Sequence, residues 1–178
     1  MTRETVHTGG DGIDALTARV IDECGTLITV ELDGSKVGEL VRRLARALDA
    51  AFGDEPDEVT VRMALGSACT TAAKTIEQFV AALQLPYEAT RGWGDFREAL
   101  DDRSAKAECV VITDASQLLK YEDYDLWQEL IDGLSPHDQR SGCLYRGWRT
   151  LVLVDHEFRW NEWVFRTAHH PSSAVLEK

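Results

Sequence analysis

ITVELDGS (residues 28–35) and VTVRMALGS (residues 59–67) read alike: a β-branched, apolar run, a glycine-containing turn, and then an amphipathic stretch. The composition of each run predicts a strand, Leu27 to Leu32 and Val59 to Leu65. After the first, Val37, Leu40, Val41, Leu44, Leu48, Ala51 and Phe52 recur at helical spacing, so a helix is expected to Phe52, with Arg42, Arg43 and Arg46 as a basic stripe outside it. After the second, Ile76, Phe79, Val80 and Leu83 mark a helix that Thr70, Thr71 or Thr75 could cap, beginning at Ile76 if the cap is Thr75, and that is expected to end at Pro86. Two successive strand-turn-helix units predict a parallel sheet covered by helices.

Working outward, ECVVITDA (Glu108 to Ala115) sets Val110, Val111 and Ile112 side by side, as in a strand buried on both faces, and TLVLV (Thr150 to Val154) is a second such strand. Short helices are expected where Trp93, Phe96 and Leu100 recur, and from Glu122 to Leu134. Ile13, Leu16 and Val20 predict one more, after a polar arm at residues 1–12. Phe158, Trp160, Trp163, Val164 and Phe165 follow the last strand, and are either an edge strand packed on the sheet or an exposed adhesive patch. The fold class is α/β, with two or three layers around a mainly parallel sheet.

The 178 residues suit one domain, and 44% hydrophobic residues exclude disorder for the whole. No apolar run approaches the roughly 20 residues that cross a bilayer, and the first residues have no signal-like core, so the expected compartment is the cytoplasm. Cys24, Cys69, Cys109 and Cys143 are too widely spaced for a zinc knuckle or a disulfide framework, and reduced thiols are expected. The net charge of −12 argues against nucleic acid and anionic membrane as partners and for a basic one. The excess is uneven: Asp95 to Asp138 holds twelve acids and four bases.

Chemistry-bearing motifs are sparse. His137, His156, His169 and His170 lack metal-ligand spacing, and neither metal nor cofactor is expected. GSACT around Ser67 is not a nucleophile elbow, and TGGDGID resembles a phosphate loop only in composition. Paired acids such as Asp101 and Asp102 fit a docking face for a basic partner better than glycosidase chemistry, which needs carboxylates opposed across a pocket.

The stretch TIEQFVAALQLPYEATRGWGDFREALDD (residues 75–102) resembles the first helix, binding loop and second helix of barstar-like proteins, inhibitors of secreted bacterial ribonucleases. Leu85-Pro86 stands at the helix end, Trp93 seven residues after the proline, and Glu98 at the inhibitory acid, while ECVVITDASQLLKYEDYDLWQELIDGL and TLVLV resemble later elements. Gly92, Gly94 and Thr90 depart from the signature. The resemblance runs from Val59 or Thr75 to Val154 and implies an arm (1–12), an extension (13–55), a barstar-like domain (56–165) and a tail (166–178). It implies an acidic inhibitor or immunity-like protein that blocks a basic ribonuclease or toxin through Glu88, Trp93, Asp95, Glu98, Asp101 and Asp102. Two other readings stay open: a small-molecule-binding or enzymatic α/β domain using Cys109 or His156 near strand ends, and an assembly subunit that self-associates through Phe158, Trp160 and Trp163.

Overall fold

The computed structural model describes residues 2–5, 10–22, 27–52, 59–102, 107–134 and 149–156. In chain order these form β1 (Thr2–Thr5), α1 (Gly10–Asp22), β2 (Leu27–Glu31), α2 (Gly34–Phe52), β3 (Val59–Leu65), α3 (Ala72–Leu83), α4 (Trp93–Asp101), β4 (Ala107–Thr113), α5 (Tyr124–Leu134) and β5 (Arg149–Asp155). The five strands make one sheet in the order β1-β2-β5-β4-β3, and neighbouring strands are parallel throughout.

The chain steps from β1 to β2, crosses to the far edge at β3, and returns through β4 to β5 in the middle. Because parallel crossovers are right-handed, steps in opposite directions put their helices on opposite faces. The two cores follow that rule. On one face Leu16, Val20, Leu40, Leu44 and Leu48 of α1 and α2 pack on Ile28, Val30, Val111, Val152 and Val154. On the other, Phe79, Leu83, Phe96, Leu100, Trp127 and Leu130 of α3 to α5 pack on Ala64, Val110, Ile112, Leu151 and Leu153. The result is three layers, and alternate residues of β4 and β5 serve opposite cores, which is why their sequences are unbroken apolar runs. Each fully buried side chain of this size contributes about 1.5–3 kcal/mol.

Polar groups tie the layers at their edges. Arg43 of α2 bonds Asp14 of α1 at 2.5 Å and Glu39 at 2.8 Å, and Arg42 meets Glu39 at 2.9 Å, so the basic stripe of the sequence is largely paired. Glu108, almost fully buried, lies 3.3 Å from Arg149 and 3.8 Å from Arg62.

Several local expectations change. Residues 2–5, expected in a loose arm, pair with β2 as an edge strand. Of the three threonines read as possible caps, Thr71 takes the N-cap position and α3 starts at Ala72, whose N–H is accepted not by Thr71 but by the Glu122 carboxylate, at 2.8 Å and from fifty residues away. Thr75, another of those candidates, is inside the helix and donates its buried hydroxyl to the Cys69 carbonyl at 3.0 Å. Helix α5 then begins at Tyr124, two residues later than expected. At the other end of α3, Gln84 turns left-handed (φ 55°) and Leu85 N–H reaches the Val80 carbonyl at 3.0 Å, which closes the helix before Pro86. Phe158, Trp160, Trp163, Val164 and Phe165 lie outside the described residues.

Candidate functional site

The strand register lines up four residues at the C-terminal edge of the sheet. Leu65 of β3 pairs with Thr113 of β4, and the β4–β5 register, continued by one from Ile112 and Leu153, sets Thr113 beside Val154. Val154 pairs with Val30, and the Leu32 N–H carries that ladder one step further by donating to the Asp155 carbonyl at 2.9 Å. Val30, Val154, Thr113 and Leu65 thus form a row on the face covered by α2, with Leu32 two residues past Val30 on the same face. The first turns of α2, at Gly34, Val37 and Gly38, stand over it. Between row and helix lies a cleft of about 320 Å³, lined also by Met63, Asp114, Asp155 and His156. Met63 and Leu65 remain 46% and 44% exposed, an apolar wall without a cover among the described residues.

Each of β2, β4 and β5 runs into or ends on an aspartate, and the three have different tasks. Asp33 caps α2: its Oδ1 accepts the Ser35 N–H at 2.8 Å and the Ser35 hydroxyl at 2.5 Å, and these bonds hold its carboxyl below the usual carboxylate range. Asp155, 4% exposed, accepts the Ser116 N–H and the His156 N–H, each at 2.8 Å, which anchors the turn after β4 to the end of β5. Asp114 sits in left-handed backbone (φ 46°, ψ 42°), a conformation that Asp tolerates better than most residues. Its Oδ2 accepts the Ser67 hydroxyl at 2.6 Å, and its Oδ1 lies 3.7 Å from His156 Nδ1, which is 3.6 Å from Asp155.

Two features show how tightly this edge is built. A Cβ on Gly66 would fall 2.6 Å from the Thr113 carbonyl oxygen and nearer still to that of Asp114, so only glycine lets the β3 turn approach the end of β4. Thr113, 7% exposed, has a buried hydroxyl with no hydrogen-bond partner among the described residues. A buried polar group is nearly always paired, so an orphan hydroxyl on a residue that lines a cleft calls for a partner.

The residues singled out from the sequence lie elsewhere. Glu88, Asp95, Glu98 and Asp102 line a shallow hollow of about 400 Å³ with Leu85, Pro86, Ala89 and Ala99, on the α3–α4 layer. Asp101 is not in it and faces Arg97 at 3.6 Å. Trp93 packs on Phe96 at 5.5 Å and donates its indole N–H to Glu129 at 2.6 Å, which ties α4 to α5. This hollow is larger than the strand-end cleft, but none of its residues has a buried side-chain atom without a partner. Of the two residues raised for an enzymatic site, His156 stands at the cleft, whereas Cys109 is fully buried in mid-strand and burial pushes its thiol up to about 12. Cys69 is raised likewise to about 12, again by burial. Among the described residues, no three His, Cys, Asp or Glu side chains are grouped so that they could hold a metal ion.

A parallel sheet with helices on both faces and a cleft at its carboxyl edge can be compared with solved folds. In fold, the chain is similar to the ORC2 protein of Aeropyrum pernix. The ADP form of that protein matches with a TM-score of 0.62 and 11% identity over 92% of this chain and 46% of the other. The ADPNP–ADP complexes match with a TM-score of 0.63 and 11% identity over 98% and 48%. The chain therefore spans about half the length of these structures. No protein-family model and no curated protein matches it.

This likeness corrects the barstar reading. The structural match spans nearly the whole chain, whereas the barstar resemblance ran only from Val59 or Thr75 to Val154. β2, outside the stretch that the resemblance covers, is hydrogen-bonded along β5 in the interior of the sheet. What the resemblance rested on has local causes here: α3 closes before Pro86, Trp93 ties α4 to α5, and the strands are buried on both faces. With the barstar reading go the ribonuclease inhibitor, the immunity role and the ribonuclease or toxin as partner. The exclusion of nucleic acid, which rested on net charge alone, is not retained for a chain whose fold matches ORC2. Among the described residues, no helix is long and apolar enough to cross a membrane.

Proposed function

We propose that this chain is a small-molecule-binding α/β domain whose site is the cleft at the C-terminal edge of the sheet, and that it works in the cytoplasm. The observation that carries this reading is the orphan hydroxyl of Thr113, set in a cleft lined from β2, β3, β4, β5 and the start of α2. Open parallel sheets bind ligands beyond the carboxyl ends of their strands where successive connections leave to opposite faces. Here the connection after β2 runs through α2 on one face and the connection after β4 through α5 on the other, with β5 between them. An apolar floor with a few convergent polar groups is the usual make-up of such a site.

The Aeropyrum pernix ORC2 structures are an ADP form and ADPNP–ADP complexes, so adenine nucleotides are the first compounds to try. The test is amide chemical-shift mapping of the whole chain with ADP, ADPNP and a library of small polar compounds. The reading expects at least one compound whose shifts cluster on Leu32, Gly34, Leu65, Thr113 and Val154. That compound should also raise the melting temperature, since a ligand at a hundred times its Kd adds about 2.7 kcal/mol. Shifts confined to the hollow around Glu88 and Glu98, or no compound at either place, would overturn it.

A further inference from the structure

The nucleotides found with the structural neighbours raise the question of whether this cleft can receive a phosphate. A phosphate bound at such a place is held by free backbone N–H groups at a helix N-terminus, reached through a glycine-rich loop. Only Leu32 and Asp33 separate β2 from α2. The N–H of Ser35 is already bonded to the Asp33 side chain and that of Lys36 to the Asp33 carbonyl, at 2.8 and 2.9 Å. The chain's own carboxylate thus occupies the position that an anion would take. Asp114 and Asp155 add two further acids at the mouth. An incoming phosphate would meet like charge and no available cradle, so the residues do not fit a nucleotide bound through its phosphates.

The same groups suit the opposite charge. We propose that the strand-end cleft takes an organic cation, an ammonium, amidinium or guanidinium head on an apolar body, with Asp114 receiving the head and Met63, Leu65, Val37 and Val154 covering the body. This rests on the reading of the cleft as a ligand site and adds the chemical class. Asp114 spends one oxygen on Ser67 and turns the other toward His156 and the cleft, so it keeps acceptor capacity for an N–H donor. Thr113 lines the cleft, and its hydroxyl, buried and unpartnered among the described residues, is a second acceptor beside it, independent of the acids and reached by a small rotation of the side chain. Because no three ligating side chains are grouped to hold a metal ion among the described residues, a bare metal cation is not the fit. A larger ion that brings its own apolar surface is, because it also covers the exposed Met63 and Leu65.

The experiment uses a matched pair of probes on the full chain, benzamidinium and benzoate, which share an aromatic body and differ in charge, with ADP and inorganic phosphate as further anions. Amide shifts are followed to millimolar concentration. Benzamidinium is expected to shift Leu32, Leu65, Thr113 and Asp114 with saturation, and benzoate, phosphate and ADP to leave them unmoved. Asp114→Asn removes the charge, keeps a residue that accepts left-handed backbone, and is expected to weaken benzamidinium about tenfold or more. Thr113→Val, which keeps the shape, is expected to weaken it by a smaller factor. Binding of ADP, phosphate or benzoate in the cleft, or benzamidinium affinity unchanged in Asp114→Asn, overturns the charge assignment but leaves the cleft a ligand site. Silence of all four probes overturns the assignment, and a wider library that is also silent at these residues overturns the functional reading beneath it. Benzamidinium shifts confined to the acidic hollow around Glu88 and Glu98 overturn the assignment as well.

Discussion

Thr113 and Gly66 face each other across the end of β4 and pull stability in opposite directions. Gly66 lets two turns meet backbone to backbone, and Gly66→Ala puts a methyl group against the carbonyl oxygens of Thr113 and Asp114. Neither oxygen belongs to a flexible side-chain end, so the strain should cost about 1–3 kcal/mol, read as a lower urea midpoint with unchanged slope. Thr113→Val should do the reverse. The hydroxyl is buried without a partner among the described residues, and exchanging it for a methyl group of similar shape removes a desolvation penalty of about 1–3 kcal/mol. The variant is expected to melt higher than the parent while binding cleft ligands less well, a trade characteristic of binding residues. A variant that melts lower would show that the hydroxyl has a structural partner.

At the scale of elements, α2 depends on Asp33, since it is a nineteen-residue helix whose first turn bonds to that one carboxylate. The Asp33 carboxyl is held below its ordinary value by the Ser35 hydroxyl first and the Ser35 N–H second. A group with a lowered folded pKa stabilises the fold above its ordinary value, about 4 for a carboxyl, and the contribution is lost as pH falls through the folded value. Asp33→Ala should therefore be less stable than the parent at neutral pH and approach it in acid, as compared by urea unfolding; a constant gap would exclude the cap as its source. The helices and strands themselves were largely legible in the sequence, because buried apolar residues repeat at 3.6 in α2 and α3 and run unbroken in β4 and β5. Boundaries set from afar were not. The sequence leaves Thr70, Thr71 and Thr75 open as the cap of α3, and the bond to the Ala72 N–H comes from Glu122, fifty residues on. The strand at Thr2–Thr5 carries no apolar pattern, and only its pairing with β2 reveals it.

For the whole molecule, the α/β class followed from two strand-turn-helix units, but the order of strands did not, because local pattern is silent about which strands meet. The cleft was hidden for the same reason. Asp33, Asp114 and Asp155 each end or follow an apolar strand, a regularity visible in the sequence, yet their convergence depends on β5 lying between β2 and β4. Within residues 85–102, Glu88, Asp95, Glu98 and Asp102 do meet in one hollow, but on a helical layer away from the strand ends. That central place of β5 also governs how the protein can be made. During synthesis β2 and β4 emerge first, each with a ladder edge that stays unpaired until Arg149–Asp155 leaves the ribosome and slots between them. A chain stopped after Leu134 should show no cooperative unfolding and should aggregate, whereas release of the residues up to Asp155 completes the sheet in one step. The last strand described is thus the keystone of assembly, and the growing chain needs protection until it arrives.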